Sequence, residues 1–375
     1  MASGETIRVS RLGELRAAVT NAKPGTRIEI APGEYAGGFY ATNLRGEEAK
    51  PILITAADPK NPPVLKGGVQ LVDAMHVELS DLVLSGFAGN AIAIDDGGSY
   101  DTPAGHVTLR RLRITDIGPK GNFHAVKYAG VDDFLISDCH IERWGVENGI
   151  GVDAVGCHRG VIENCSFIHN ENPEKSGAVG IQVKGACSGI VIRNNRFVHC
   201  GGRGINIGGS TGEPFFRPPL ASMKGERYEA KDIVVENNTI IGGDAAIAFP
   251  NTDGAIVRHN TIYQPQRWAF RILQETTSFP GFVPSRNGVV KDNLIAFRSD
   301  HWVEGGINIG PGTSPESFSF SHNFWYCVDA PAKSRPTLPT PETGGVYGND
   351  PKFIDAAGGN LKLSADSPAT GFGAP

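Results

Sequence analysis

The sequence predicts an all-β chain, a single-stranded right-handed parallel β-helix with a short N-terminal capping helix, and three observations carry that prediction. First, a phrase of one small residue, an aliphatic, any residue and an aliphatic recurs every two to three dozen residues. It reads Ala91-Ile92-Ala93-Ile94, Ala125-Val126-Lys127-Tyr128, Gly149-Ile150-Gly151-Val152, Gly180-Ile181-Gln182-Val183, Gly204-Ile205-Asn206-Ile207, Ala246-Ile247-Ala248-Phe249, Ala269-Phe270-Arg271-Ile272 and Gly306-Ile307-Asn308-Ile309. Second, each copy alternates with an apolar run that ends in a polar pair, such as Ile190-Val191-Ile192-Arg193-Asn194-Asn195 or Ile233-Val234-Val235-Glu236-Asn237-Asn238. Short alternating strands at a fixed period mark a solenoid, whose coils have no core until neighbours stack on them. Third, the last polar position of that run forms a column: Leu112, Cys139, Cys165, Asn195, Asn238, Asn260, Asn293, Asn323. At the parallel-strand separation of about 4.8 Å, stacked amides can hydrogen-bond along such a column.

The elements follow in order. Leu12, Leu15, Ala18 and Val19 have helical spacing after Ser10, a suitable cap, so a helix over Leu12 to Asn21 is expected to close the open end of the first coil. The whole of 1–375 is expected to be one domain: an N-terminal cap over 1–24, coils over 25–328 and a C-terminal tail over 329–375 packed back on the helix. A loop insertion interrupts the coils at 209–231; it is aromatic and basic, with Phe215, Phe216, Arg217, Lys224, Arg227 and Tyr228. A second insertion runs from Glu275 to Asn287, and the Pro-rich stretch after Asp329 is not expected to pair as strand.

Composition narrows the class. Forty-nine glycines and only 20% charged residues suit a fold that bends at every strand end. A net charge of −5 argues against nucleic acid as a partner, and no apolar run is long enough to span a bilayer. A secreted or periplasmic protein, its signal peptide removed, and a monomer are expected. Of the six cysteines, Cys139 and Cys165 belong in the bend column as small buried residues, while Cys157 and Cys187 occupy nearly the same turn of consecutive coils, close enough for a disulfide.

Chemistry is expected where polar residues gather on one face. If the two aliphatics of the phrase point inward, the small residue and the variable one point outward. The small column would then floor a groove for an extended polymer, and the variable column would border it. On this register Lys127, Gln182 and Asn206 stand in the variable column. Asp153 and Lys184 stand one outward position further on, side by side in successive coils. His124, Asn148, Arg203, Arg267 and Trp268 flank the other side, and Arg271 continues the variable column. The 209–231 loop is expected to form a wall or lid, contributing Arg217 and Tyr228 to an anionic substrate.

The chain also resembles a family at particular residues. Pro24-Gly25 leading through a strand to Gly33-Glu34-Tyr35, then Pro51-Ile52-Leu53-Ile54, is similar to the entry of the β-helical polysaccharide lyases that include alginate lyases and chondroitinase B. That family carries its catalytic lysine directly after a strand, where this chain has Gly180-Ile181-Gln182-Val183-Lys184-Gly185. The resemblance implies β-elimination on an acidic, uronate-containing polysaccharide, with Lys184 as base. The family's arginine position is taken here by Gly208, and its calcium-binding acids correspond to Gly177 and Val179.

Physical argument fills the remaining roles. Elimination needs the uronate carboxylate neutralised, which Arg203, Arg271 or Lys127 can do, while Gln182 and Asn206 suit sugar hydroxyls. An ion pair between Lys184 and Asp153 would instead make the lysine structural. A glycoside hydrolase using Asp153 with Glu147 or Asp244 is the rival enzyme class, and a non-catalytic glycan-binding solenoid the rival without chemistry. No metal is indicated. Calcium is the one cation considered, because the turn pairs Asp95-Asp96 and Asp132-Asp133 have the oxygen donors it takes. Asn251-Thr252-Asp253-Gly254 repeats a polygalacturonase phrase but lacks that family's following acids, and is read as a turn.

Overall fold

The computed structural model describes residues 4–118, 121–145, 147–169, 178–223, 226–277 and 279–375. The chain is a right-handed parallel β-helix. Successive coils contribute one strand each to three long parallel sheets of 14, 10 and 12 strands among the described residues. The helix Leu12–Thr20 lies over the first coil with Leu15, Ala18 and Val19 buried, as the apolar spacing requires. Its entry is fixed from inside the helix: Glu14 accepts the backbone N–H groups of Ser10 and Arg11 at 2.9 and 3.1 Å, and the Ser10 hydroxyl donates to it as well.

The polar pairs at the bends divide two tasks. The first member takes the left-handed conformation that turns the chain from the first sheet into the next: Asn164, Asn194, Asn237 and Asp292 have φ of 55°, 57°, 57° and 56°. The second member points inward and joins a ladder. The Oδ1 of Asn195 accepts the backbone N–H of Cys165, and Asn238, Asn260, Asn293 and Asn323 each do the same for the rung before, at 2.9–3.0 Å. Glu342 from the C-terminal tail ends the ladder by accepting the N–H and Nδ2 of Asn323. Inside, aromatic rings stack at coil spacing, as Phe167 on Phe197 with centroids 4.9 Å apart.

One pairing left open by the sequence is settled here and one expectation needs correction. The disulfide that the spacing of Cys157 and Cys187 would allow is not formed. Cys157 and Cys187 do occupy successive rungs, and the Cys157 N–H meets the Cys187 sulfur at 3.2 Å, but both are free thiols. Each thiol donates instead to a backbone carbonyl, of Val155 and Ala154 respectively, so the sulfurs stack in parallel rather than converge. The tail after Asp329 also pairs further than expected: Val346–Tyr347 adds a parallel rung beside Phe324 and Trp325. It then forms the antiparallel hairpin Phe353–Asp355 with Asn360–Leu363 and packs back on the helix, where Arg196 donates to the Gly359 carbonyl.

Candidate active site

The register of the ten-stranded sheet decides which side chains meet. Lys127 pairs with Asp153, Asp153 with Gln182, Gln182 with Asn206, Asn206 with Ala248, and Ala248 with Arg271. Asp153 therefore stands in the variable column, two residues from where the repeated phrase put it, and Val155 rather than Asp153 lies beside Lys184. The small column is displaced likewise, running through Ala125, Gly151, Gly180, Gly204 and Ala246.

That column is no groove floor. Gly151, Gly180, Gly204 and Ala246 lie within their strands and face the core: a Cβ at Gly180 would come within 2.7 Å of Phe197 Cδ1, and one at Gly204 within 3.0 Å of Ile240 Cγ2. The glycines are small because the core aromatics and the next backbone leave no room.

The cleft lies instead over the outward columns. A cavity of about 480 Å³ is lined by Asn122, His124, Lys127, Asn148, Ile150, Asp153, Val179, Gln182, Lys184, Gly202, Arg203, Asn206, Asp244, Arg271 and Glu275. Ten of the residues singled out in the sequence thus come together: His124, Lys127, Asn148, Asp153, Gln182, Lys184, Arg203, Asn206, Arg271 and, from the hydrolase reading, Asp244. Asn122 and Glu275 were missed. Glu275 opens the second insertion, outside any repeat, so nothing in the sequence periodicity marks it.

Four other candidates lie outside that lining. Arg217 folds away from the cleft and is buried, donating to Asp132 at 3.1 Å and to the Gly156 carbonyl at 2.7 Å, with Asp96 at 3.4 Å. Tyr228 packs in a small apolar cluster with Ala186, Phe216, Leu220 and Phe282. The two insertions therefore build a satellite core of their own rather than a lid carrying Arg217 and Tyr228. They are clasped to the coils by the fully buried Glu229, which accepts the Gly185 and Thr211 N–H groups and the Thr211 and Thr276 hydroxyls. Lys224 lies outside the described residues. Trp268 is buried beneath Arg267 and Arg271, with guanidinium carbons 4.1 and 4.4 Å from its ring centroid.

Charge in the cleft is mostly paired, and the pairing is selective. Lys127 Nζ donates to Asp153 Oδ2 at 2.9 Å; Asp153 is 1% exposed, and its Oδ1 has no hydrogen-bond partner among the described residues. Arg203 donates to Glu275 at 2.6 Å and to Asn206 at 2.8 Å. The alternative ion pair between Lys184 and Asp153 is absent, because Asp153 is one column away and engaged by Lys127; among the described residues Lys184 forms no ion pair. His124 Nδ1 accepts the Ile150 N–H at 3.1 Å, so in the neutral ring Nε2 carries the proton, facing Asp153 Oδ2 at 3.6 Å. Burial pushes the His124 pKa down to about 4; Asp153 opposes the shift, and the charges of Lys127 and Lys184 add to it.

The family's arginine cannot be accommodated at Gly208. That residue has φ of +113°, and a Cβ there would lie 1.8 Å from the Pro250 carbonyl oxygen. Of the two calcium-ligand positions, Val179 is apolar and Gly177 lies outside the described residues. No cluster of three or more His, Cys, Asp or Glu side chains able to hold a metal ion occurs among the described residues. Asp96 and Asp132 face Arg217, and Asp132 and Asp133 are bound by Arg159. Asn251 is the turn residue expected, with φ of 55°; its buried side chain accepts the Glu275 and Thr276 N–H groups. No helix of the described residues is long and apolar enough to cross a membrane.

Comparison with known proteins gives the same architecture. The model of the right handed beta helix region matches residues 67–217, and no curated protein matches the sequence. Among solved structures, a polysaccharide lyase from Pseudopedobacter saltans is similar, with TM-score 0.60 and 16% identity over 98% of each chain. A rhamnogalacturonan lyase gives 0.58 and 15% over 99% of each chain. A lacto-N-biosidase from Eubacterium ramulus gives 0.58 and 12%, covering 92% of this chain and 67% of that one. At these identities the likeness is one of fold, shared by a hydrolase as well as lyases.

Proposed function

We propose that the protein is a carbohydrate-active enzyme that cleaves an acidic, uronate-containing polysaccharide by β-elimination in the cleft over the ten-stranded sheet. One observation carries the reading: of the cleft's two lysines, Lys127 is held by a buried carboxylate, whereas Lys184 has no carboxylate partner among the described residues. The two needs of elimination are thereby divided. Lys127 and Arg203, each paired with an acid, face the charge that builds on the substrate carboxylate, while Lys184 forms no such pair among the described residues.

In this reaction neutral Lys184 takes the proton on C5 of the uronate. The electron pair forms the C4–C5 double bond and expels the 4-linked oxygen, which takes a proton from water or from the newly charged lysine. Gln182 and Asn206, joined by a side-chain hydrogen bond of 3.3 Å, present amide groups to sugar hydroxyls. An exported, monomeric enzyme fits a polymer of this kind.

The purified protein is to be incubated with uronate polysaccharides while the ultraviolet absorbance of the unsaturated product is followed. Absorbance should rise, and Lys184→Ala should lower turnover at least about a hundredfold with KM little changed, as expected for loss of a general base. New reducing ends without absorbance would refute elimination and move the chemistry to Asp244 and Glu275 as a hydrolytic pair.

A further inference from the structure

Arg271 differs from the other cations of the cleft in how it is held. Its Nε donates to Asn308 Oδ1 at 2.9 Å, and Asn308 is oriented in turn by donating to Glu304 at 2.8 Å. The guanidinium carbon rests 4.4 Å from the centroid of Trp268, a ring only 5% exposed. One edge and one face of the group are thus fixed by protein. Its two terminal nitrogens have no hydrogen bond or ion pair among the described residues, in contrast to Arg203, which spends both on Asn206 and Glu275. Burial, then Arg203 and Arg267, disfavour the Arg271 charge, and the carboxylates of Glu275 and Asp244 offset this in part.

Its place along the helix is equally specific. From the coil of Lys184 to that of Arg271 there are three pairings, Gln182 with Asn206, Asn206 with Ala248 and Ala248 with Arg271. At about 4.8 Å per pairing this is a backbone separation of about 14 Å, the length of about three sugars rather than one. In the intervening coil Ala245 and Ala248 carry small side chains and are fully buried, and Asp244 and Glu275 line the cavity together with Arg203 and Arg271. A 4-linked pyranose advances along its polymer by about the height of one coil, so an extended chain lying along the helix axis would bring a later sugar to Arg271.

We propose that Arg271, set on Trp268 and Asn308, is a specificity residue that takes the carboxylate of a second uronate about three sugars from the reacting one. This rests on the reading that the cleft binds an acidic polysaccharide, and it removes Arg271 from the catalytic group. A preoriented guanidinium with both terminal nitrogens open matches the two oxygens of a carboxylate, which lysine cannot do.

The test uses a ladder of 4-linked uronate oligosaccharides from disaccharide to hexasaccharide, with calorimetric binding and steady-state cleavage measured on the intact protein and on Arg271→Ala and Arg271→Lys. Arg271→Ala should weaken binding and raise KM at least about tenfold for the longer oligosaccharides, the value of a charge-assisted hydrogen-bonded pair, with kcat within a fewfold of wild type. It should leave the disaccharide unaffected, and Arg271→Lys should recover only part of the loss. Losses in kcat that are equal at every length, or a fall in melting temperature that accounts for the weaker binding, would overturn the proposal and make the stack on Trp268 structural. Oligosaccharides that bind through Arg271 without yielding unsaturated product would refute elimination and leave the receptor standing. Binding unchanged in Arg271→Ala, or no binding by wild type, overturns the receptor whatever the chemistry.

Discussion

Asn260→Ala tests the physical basis of the fold most directly. The Asn260 side chain is fully buried and has five hydrogen-bond contacts: the two hydrogens of Nδ2 are shared among the carbonyls of Val235 and Arg258 and Asn293 Oδ1, while Oδ1 accepts the N–H and Nδ2 of Asn238, all at 2.9–3.0 Å. At about 1 kcal/mol net per bond, with about 1–3 kcal/mol for the orphaned Asn238 amide included in that total, the loss should be about 3–5 kcal/mol. Asn260→Cys is the informative control. The same column holds Cys165, whose sulfur accepts the Cys139 N–H at 3.4 Å, so a thiol at 260 can still receive the Asn238 amide and should cost less than alanine. Urea unfolding followed by far-ultraviolet circular dichroism gives the energies, and hydrogen exchange at the Asn238 amide reports the orphaned donor. A loss under about 1 kcal/mol for alanine, or cysteine costing more than alanine, would refute the claim that the ladder holds the bends.

Two further outcomes follow from the packing and the titrating groups. Gly204→Trp should cost well over the 1–3 kcal/mol typical of overpacking, because its Cβ alone would stand 2.8 Å from the Ala246 carbonyl oxygen; a stable variant that merely lost ligand would restore the small column as a groove floor. Burial lowers the pKa values of His124, His158 and His169, His124 to about 4, so between about pH 4 and 6.5 the unfolded chain binds more protons than the folded one. The stability these rings contribute as neutral groups is complete above about pH 6.5 and is lost as pH falls through that window. The urea midpoint should therefore drop between about pH 7 and 4.5, and drop less in His124→Gln; equal midpoints at the two pH values would refute it.

The solenoid was legible because its rules are local and repeated. An aliphatic alternation, a turn residue that tolerates φ near +55° and an amide able to bridge rungs recur until coincidence is excluded, and each recurrence reports the same coil. The insertions were legible only as interruptions. Phe216 packing on Phe282, or Arg217 reaching Asp132 from 85 residues away, obeys no period, so the basic-aromatic composition of 209–231 suggested a substrate wall where the chain builds a satellite core.

The candidate site failed in the sequence by one specific ambiguity. Gly149-Ile150-Gly151-Val152 and Gly151-Val152-Asp153-Ala154 both satisfy the repeated phrase, and a strand pattern of period two is unchanged by a slip of two residues. Such a slip keeps apolar residues inward, so composition cannot detect it, yet it exchanges chemical neighbours. In one register Asp153 stands beside Lys184 and would hold it charged; in the other it stands between Lys127 and Gln182 and leaves Lys184 alone. The strands take the second register. Asp153 is 1% exposed with one oxygen on Lys127, and Lys127 stands in the variable column on either register. A buried carboxylate needs a cation within reach, and either register supplies one, Lys184 in the first and Lys127 in the second, so the acid's need for a partner does not distinguish them. The same pairing that gives the acid Lys127 leaves Lys184 without it, so which side chains meet in the cleft rests on a register that the repeat leaves open and the strand pairing fixes.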